Sequence, residues 1–285
     1  MTERTEVRSI LTRSSGYLRS VCSHSLQPYR GCSYGNSLCG VACYVQHNRW
    51  LTRGEAWGSF LEARDNAAAV YLEQVTRERK WARERRDGFV IFMSSSTDPF
   101  VPQEAALGIT ASVLRAMQSE PPDTLIVQTH SPRVLGALDE LLALARCCEL
   151  RVHLSIETDR ERLPGLPAPA SSVASRLDAA AALRNAGLRT VITVSPMLPL
   201  HDATRFLTRC SEVADAIVFD HFIGGDGSPG GERTLRTALP AAMEALEPGS
   251  STLAWRNAIV AQARALLPGR VGVGQDGFAG RMLPG

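Results

Sequence analysis

The sequence predicts an α/β fold, in which successive strand–helix units bring parallel strands together into a full or partial barrel. Three observations point there. Short apolar runs alternate with amphipathic stretches of helical length from Gly88 to Gly227. Nearly every apolar run ends in polar residues: Ser94–Asp98, Gln128–Ser131, Ser155–Thr158, Ser195 and Asp220–His221. A chain of 285 residues, 44% hydrophobic, can also bury one core of the size α/β barrels reach.

Taken in order, residues 1–27 read as an irregular basic arm, although "SHSLQPYR" is a weak strand candidate. Residues 53–88 contain a long helix with a charged second half, closed by Gly88. Strands follow in "GFVIFMSSS" (88–96), "DTLIVQTHS" (123–131), "LRVHLSIET" (150–158), "LRTVITVSPMLP" (188–199) and "DAIVFDHFIGGDG" (215–227). Between them lie helices at 102–120, 132–149, 171–187 and 201–214. The third of these starts in serines and ends at Gly187, as caps require. "GGDGSPGGE" (224–232) reads as a flexible loop, residues 251–269 as a last amphipathic helix, and 270–285 as a short strand plus tail. "GVGQDG" there matches a dinucleotide fingerprint poorly and is expected to open no helix. The expected organisation is an arm (1–23), a core barrel (24–223) and a C-terminal loop, helix and glycine-rich tail (224–285).

Chemistry gathers at the C-terminal ends of strands in such folds, so the polar rim reads as a shared pocket, with helix capping as the structural alternative. The net charge of +2 permits nucleic-acid binding without arguing for it. No apolar run reaches the length of a membrane span, and the N-terminus lacks an apolar signal core, so a reducing cytoplasm is expected. Seven cysteines cannot all pair, and clustered thiols in a reducing compartment favour metal over disulfides.

Three of those thiols, Cys32, Cys39 and Cys43, share the glycine-rich stretch "RGCSYGNSLCGVACYVQHN". Zinc would take them with a fourth ligand, for which His47 is available. An iron–sulfur cluster is the other reading. Three thiolates on four irons leave one iron open to a small molecule, and glycines let backbone wrap a bulky cluster.

Three cysteines ahead of βα units with polar strand ends resemble the radical S-adenosylmethionine (SAM) enzymes. "PYRGCSYGNSLCGVACY", "SSSTDPFVPQE", "IVQTHSPRV" and "VHLSIETDRERLPGLPAPASSVASRLDAAAALRNAG" are similar in order and content to segments of the spore photoproduct lyase-like branch, over roughly residues 24–222. The resemblance implies a partial (βα)6, TIM-like barrel with a short C-terminal extension. It implies a [4Fe–4S] cluster on Cys32, Cys39 and Cys43, SAM on the open iron, and reductive cleavage of a C–S bond that starts radical chemistry. It also implies an electron donor such as flavodoxin or ferredoxin. A nucleic-acid lesion, on DNA or RNA, is the substrate by analogy; a small molecule or peptide is equally open, as is a non-catalytic zinc or iron–sulfur protein.

By the same resemblance, Tyr44 lies near the adenine, and Ser94, Ser95, Ser96 and Asp98 meet the SAM ammonium. Ser155 and Glu157 close the strand that serves the ribose. His130 and Arg176 lie near the SAM carboxylate, the arginine by its forked geometry. Each has a structural alternative: packing for Tyr44, helix capping for Ser94–Asp98, an ion pair for Glu157, a solvated helix face for Arg176. The sequence departs from the branch twice. Its spacing is C-x6-C-x3-C where C-x3-C-x2-C is usual, and "SSSTD" holds no thiol where the authentic lyases have a hydrogen-donating cysteine. "RERKWARERR" (77–86) could touch nucleic acid but reads more simply as a solvated helix face.

Overall fold

The computed structural model describes residues 2–284. Its strands are β1 (Thr2–Thr5), β2 (Leu11–Arg13), β3 (His24–Leu26), β4 (Tyr29–Gly31), β5 (Leu61–Arg64), β6 (Val90–Met93), β7 (Thr124–Thr129), β8 (Glu149–Ser155), β9 (Arg189–Val194), β10 (Ala216–Phe219) and β11 (Val271–Val273). Eight form one sheet in the order β11-β10-β9-β8-β7-β6-β3-β2. Every pair is parallel except β2–β3. The end strands β11 and β2 do not pair with each other, so this is a partial barrel.

The strands are apolar because both faces are buried. Period-two alternation sends Ile91, Leu125, Val127, Ile192 and Ile217 outward into the layer beneath the helices. It sends Phe92, Ile126, Val191 and Val218 inward, where they pack on Phe278. Successive helices cover the outer face: Ala67–Arg85, Ile109–Ser119, Leu138–Ala145, Val173–Asn185 and Ala203–Val213. Ser172 and Asp202 cap the last two by accepting from the backbone N–H groups of Ser175 and Arg205. Such caps contribute about 1 kcal/mol each.

The five strands expected from sequence are all present, and the weak candidate "SHSLQPYR" supplies β3. The differences are local. The basic arm is not irregular: β1 pairs with β5 and β2 with β3. Strand β5, which pairs with β4 in the small sheet β1-β5-β4, lies ahead of the long helix and went unread. Residues 102–120 break at Gly108, at φ 63°, into Glu104–Leu107 and Ile109–Ser119. There the Glu104 carboxylate accepts from the Thr110 and Ala111 N–H groups, satisfying the new helix N-terminus. Residues 132–137 form a 3-10 turn before the helix begins. "GVGQDG" does open a helix, Gly274–Phe278, which drives Phe278 into the barrel.

Candidate active site

The cysteine loop follows β4. Gly31, at φ 96°, leaves no room for a side chain, because a Cβ would lie 2.7 Å from the Phe60 ring. The Cys32 N–H then donates to the Phe60 carbonyl at 2.9 Å. "SYGNSL" folds into a compact turn: the Ser37 N–H and hydroxyl both donate to the Tyr34 carbonyl, at 2.9 and 2.7 Å. One helical turn, Leu38–Val41, carries Cys39, and its Gly40 sits flat against Tyr34 and Gly35. Cys43 precedes a 3-10 turn, Tyr44–His47. Two bonds fix the loop to the body: Leu38 N–H to the Ala168 carbonyl at 2.9 Å, and Thr97 Oγ1 to the Gly31 carbonyl at 2.9 Å.

All three thiols are free and half-buried. Burial pushes Cys32 up to about 11 and Cys39 and Cys43 each up to about 12, so they stay protonated unless a cation stabilises the thiolates. The Tyr34 N–H already points at Cys32 Sγ, at 3.2 Å, the kind of bond that tunes a ligating sulfur. Among the described residues, no three His, Cys, Asp or Glu side chains converge on a single ion. A four-iron cluster places each thiolate on its own iron, so the donor set suits that group.

The residues that the resemblance assigns to the cluster and SAM all line one cavity of about 680 Å³: the three cysteines, Tyr44, Ser94–Ser96, Asp98, His130, Ser155, Glu157 and Arg176. They do not all stand free in it. Glu157 Oε1 pairs with His130 Nδ1 at 2.8 Å and Oε2 with Arg176 Nη1 at 2.7 Å. Burial works against the Glu157 charge, but Arg176 and His130 outweigh it and hold the carboxylate well below its usual range. Burial likewise works against a charged His130, and Glu157 overcomes it and raises the imidazole. Arg176 Nη1 also donates to the Ser155 carbonyl at 2.7 Å. Two cations thus flank one anion, leaving net positive charge when His130 is protonated.

Asp98 faces its neighbours. Its carboxylate accepts from the His130 N–H at 2.7 Å, Thr129 Oγ1 at 2.8 Å and the Phe100 N–H at 2.8 Å, clasping the end of β6 to that of β7. Ser94 holds φ 76° and its N–H donates to the Leu26 carbonyl, while its buried hydroxyl has no partner. Ser95 Oγ accepts from Gln27 Nε2 at 2.8 Å, and Ser155 Oγ from Gln128 Nε2 at 2.5 Å. Tyr44 lines the cavity with burial raising its phenol. Asn48 lines it too, whereas His47, with its Nε2 buried and unpartnered, is not among the lining residues.

Gln27, Tyr17 and Phe278 line the same cavity but carried no signal in sequence. Tyr17 comes from the arm and meets Asp220 across 203 positions. The run 77–86 is a helix face, several of whose charges are engaged within the chain. Arg79 meets Glu120 and Arg83 meets Asp123, while Arg86 donates to the Ser14 carbonyl.

No family model and no curated protein matches the chain. A parallel-stranded partial barrel with a three-cysteine loop at its mouth is a fold this chain shares with solved structures. Similar structures include those of spore photoproduct lyase. One mutant of it has a TM-score of 0.60 at 13% identity, over 95% of this chain and 81% of that one. A second mutant gives 0.57 at 13% identity, over 95% and 81%. The enzyme complexed with dinucleoside spore photoproduct gives 0.52 at 16% identity, over 77% of this chain and 61% of that one. The chain spans 60 and 61% of the length of the two dinucleoside-bound chains. At these identities the likeness is one of fold.

Proposed function

We propose that this chain is a radical SAM enzyme in which Cys32, Cys39 and Cys43 hold a [4Fe–4S] cluster and SAM occupies the adjoining cavity. One observation carries the reading. Three thiols from a single loop share a cavity, at the C-terminal rim of a parallel sheet, with a carboxylate flanked by two cations. When bound, the cluster would supply the electron that breaks a C–S bond of SAM.

The chain's residues would do the positioning. His130, raised by Glu157, and the second Arg176 nitrogen can hold the methionine carboxylate. A protonated His130 carries the charge that a lysine supplies in related lyases. The unpartnered Ser94 hydroxyl and its neighbours Ser95 and Ser96 can accept from the ammonium. Asp98 acts through His130, whose backbone it fixes. Glu157 and Ser155 face the ribose, and Tyr44 the adenine. A flavodoxin- or ferredoxin-type donor would reduce the centre.

The substrate includes a nucleic-acid lesion among its candidates, since the similar lyase is seen with a dinucleoside; a small molecule or peptide is the alternative. Repair through a thiol donor would need a cysteine where this chain has Ser94–Ser96. No helix among the described residues is long and apolar enough to cross a membrane, which accords with a cytoplasmic site of action.

Anaerobic reconstitution with iron and sulfide tests the reading. About four irons per chain are expected, with 5′-deoxyadenosine formed from SAM under dithionite. One tightly bound zinc with SAM left intact would replace this reading with a non-catalytic metal-binding protein.

A further inference from the structure

A further part of the cavity wall has its own chemistry. Gln128 Nε2 donates to Ser155 Oγ and, at 2.8 Å, to Thr193 Oγ1, leaving its Oε1 buried without a partner. Two residues further along the same strand end, the Ser195 hydroxyl donates to Asp220 Oδ2 at 3.5 Å. The Tyr17 hydroxyl donates to the same oxygen at 2.9 Å. Asp220 is 6% exposed and lines the cavity. Among the described residues it forms no ion pair, and Arg256 acts on it only at longer range. Burial pushes its carboxyl up to about 6, as expected of an acid without a counter-ion.

The other charged groups of the cavity are hydrogen-bonded, and of its acids Glu157 is the one in an ion pair among the described residues. Asp98 and Glu157 are bonded as described above. Asp226 accepts from the Ser228 and Thr234 N–H groups, at 2.9 and 2.8 Å. Arg64 donates to the Gln27 carbonyl and Arg233 to the Asp226 carbonyl, at 2.9 and 3.2 Å. What this wall leaves open is acceptor capacity and one uncompensated acid.

We propose that Asp220 is the counter-ion for a cationic nitrogen of the substrate, an alkylammonium or guanidinium group, received between Tyr17, Ser195 and the free Gln128 oxygen. Such a group supplies both the charge and the N–H donors that this wall lacks. A phosphodiester would instead meet a carboxylate and a carbonyl acceptor there. The inference deepens the radical SAM reading by naming a substrate class, but the binding it describes does not need the cluster to turn over.

Calorimetric titration of the reconstituted protein, its iron content and SAM cleavage measured beforehand, tests it. The probes are n-butylammonium and butylguanidinium, with butyrate as control and thymidylyl-thymidine as the nucleic-acid alternative. A cationic probe is expected to bind saturably and butyrate not at all. Asp220→Asn keeps an acceptor for Tyr17 and Ser195 but no charge, and should weaken cation binding at least tenfold at unchanged iron content and melting temperature. Tyr17→Phe, which leaves the acid in place, should weaken it less. Equal affinity in Asp220→Asn, no cation binding by the parent, or binding of the dinucleotide alone would overturn the proposal. Cation binding without SAM cleavage would remove the enzymatic reading and leave the site; SAM cleavage without cation binding would do the reverse.

Discussion

Glu157 is the residue on which the cofactor side of the cavity turns. It is 8% exposed, and its two oxygens engage two different cations. Replacing it with glutamine leaves Arg176 buried beside a neutral amide, a change that typically costs about 3–5 kcal/mol. The pH dependence follows from the two shifts. Glu157 has a depressed folded pKa, so its contribution is complete above the unfolded value of about 4.3 and is lost as pH falls through the folded one. His130 has a raised pKa, so its contribution is complete below about 6.5 and is lost as pH rises through the folded value. Both are in full between these limits. Urea midpoints of the apo-protein measured from pH 3 to 9 should therefore show a plateau in that window. In Glu157→Gln the fall on the alkaline side from His130 should vanish; an unchanged alkaline limb would show that the pair is not formed.

At the scale of elements, the cysteine loop shows what the sequence could and could not tell. The five principal strands, and the helices between them, were legible because burial on both faces and amphipathic periodicity are local patterns. The sheet partners of the arm were not: β1 pairs with a strand about sixty residues on, and Thr2–Thr5 is polar at nearly every position. The candidate residues were legible as polar strand ends, but not their engagements. Nothing local says that Asp98 would clasp the next strand, or that Tyr17 would reach Asp220. The extra residues of C-x6-C-x3-C have a physical explanation. They form a self-bonded turn whose close approaches demand Gly35 and Gly40, since a Cβ on Gly35 would lie 2.8 Å from Gly58 Cα and one on Gly40 would meet the Tyr34 carbonyl. Gly40→Ala should therefore displace Cys39, lower iron retention after reconstitution severalfold and destabilise by about 1–3 kcal/mol. Gly136→Ala, where a Cβ meets nothing within 4 Å, should leave iron content and melting temperature as they are. Equal iron content in the two variants would mean that the turn does not position the ligand.

For the whole molecule, the sheet leaves β2 and β11 unjoined, and the segments that follow these two strands meet each other. Tyr17 packs edge-on to Phe278, at 6.2 Å between ring centroids, and Phe278 rests on Phe92 and His153. The Arg281 guanidinium donates to the Ser20 carbonyl at 3.1 Å, and Arg151 to the Ala279 carbonyl at 2.7 Å. These two segments thus close the interior of the partial barrel, and Tyr17 and Phe278 line the cavity. The proposed radical chemistry would need such a wall, because a reactive intermediate is protected by excluding water. The proposed function requires that the three cysteines at the mouth of this cavity carry a four-iron cluster facing inward. Anomalous diffraction at the iron edge, on crystals of the reconstituted protein grown without oxygen and soaked with SAM, tests it most directly. A compact iron peak bonded to the sulfurs of Cys32, Cys39 and Cys43 is expected, with SAM lying between it and the His130–Glu157–Arg176 group. A single zinc on those cysteines, a disulfide between any two of them, or SAM bound elsewhere would contradict it.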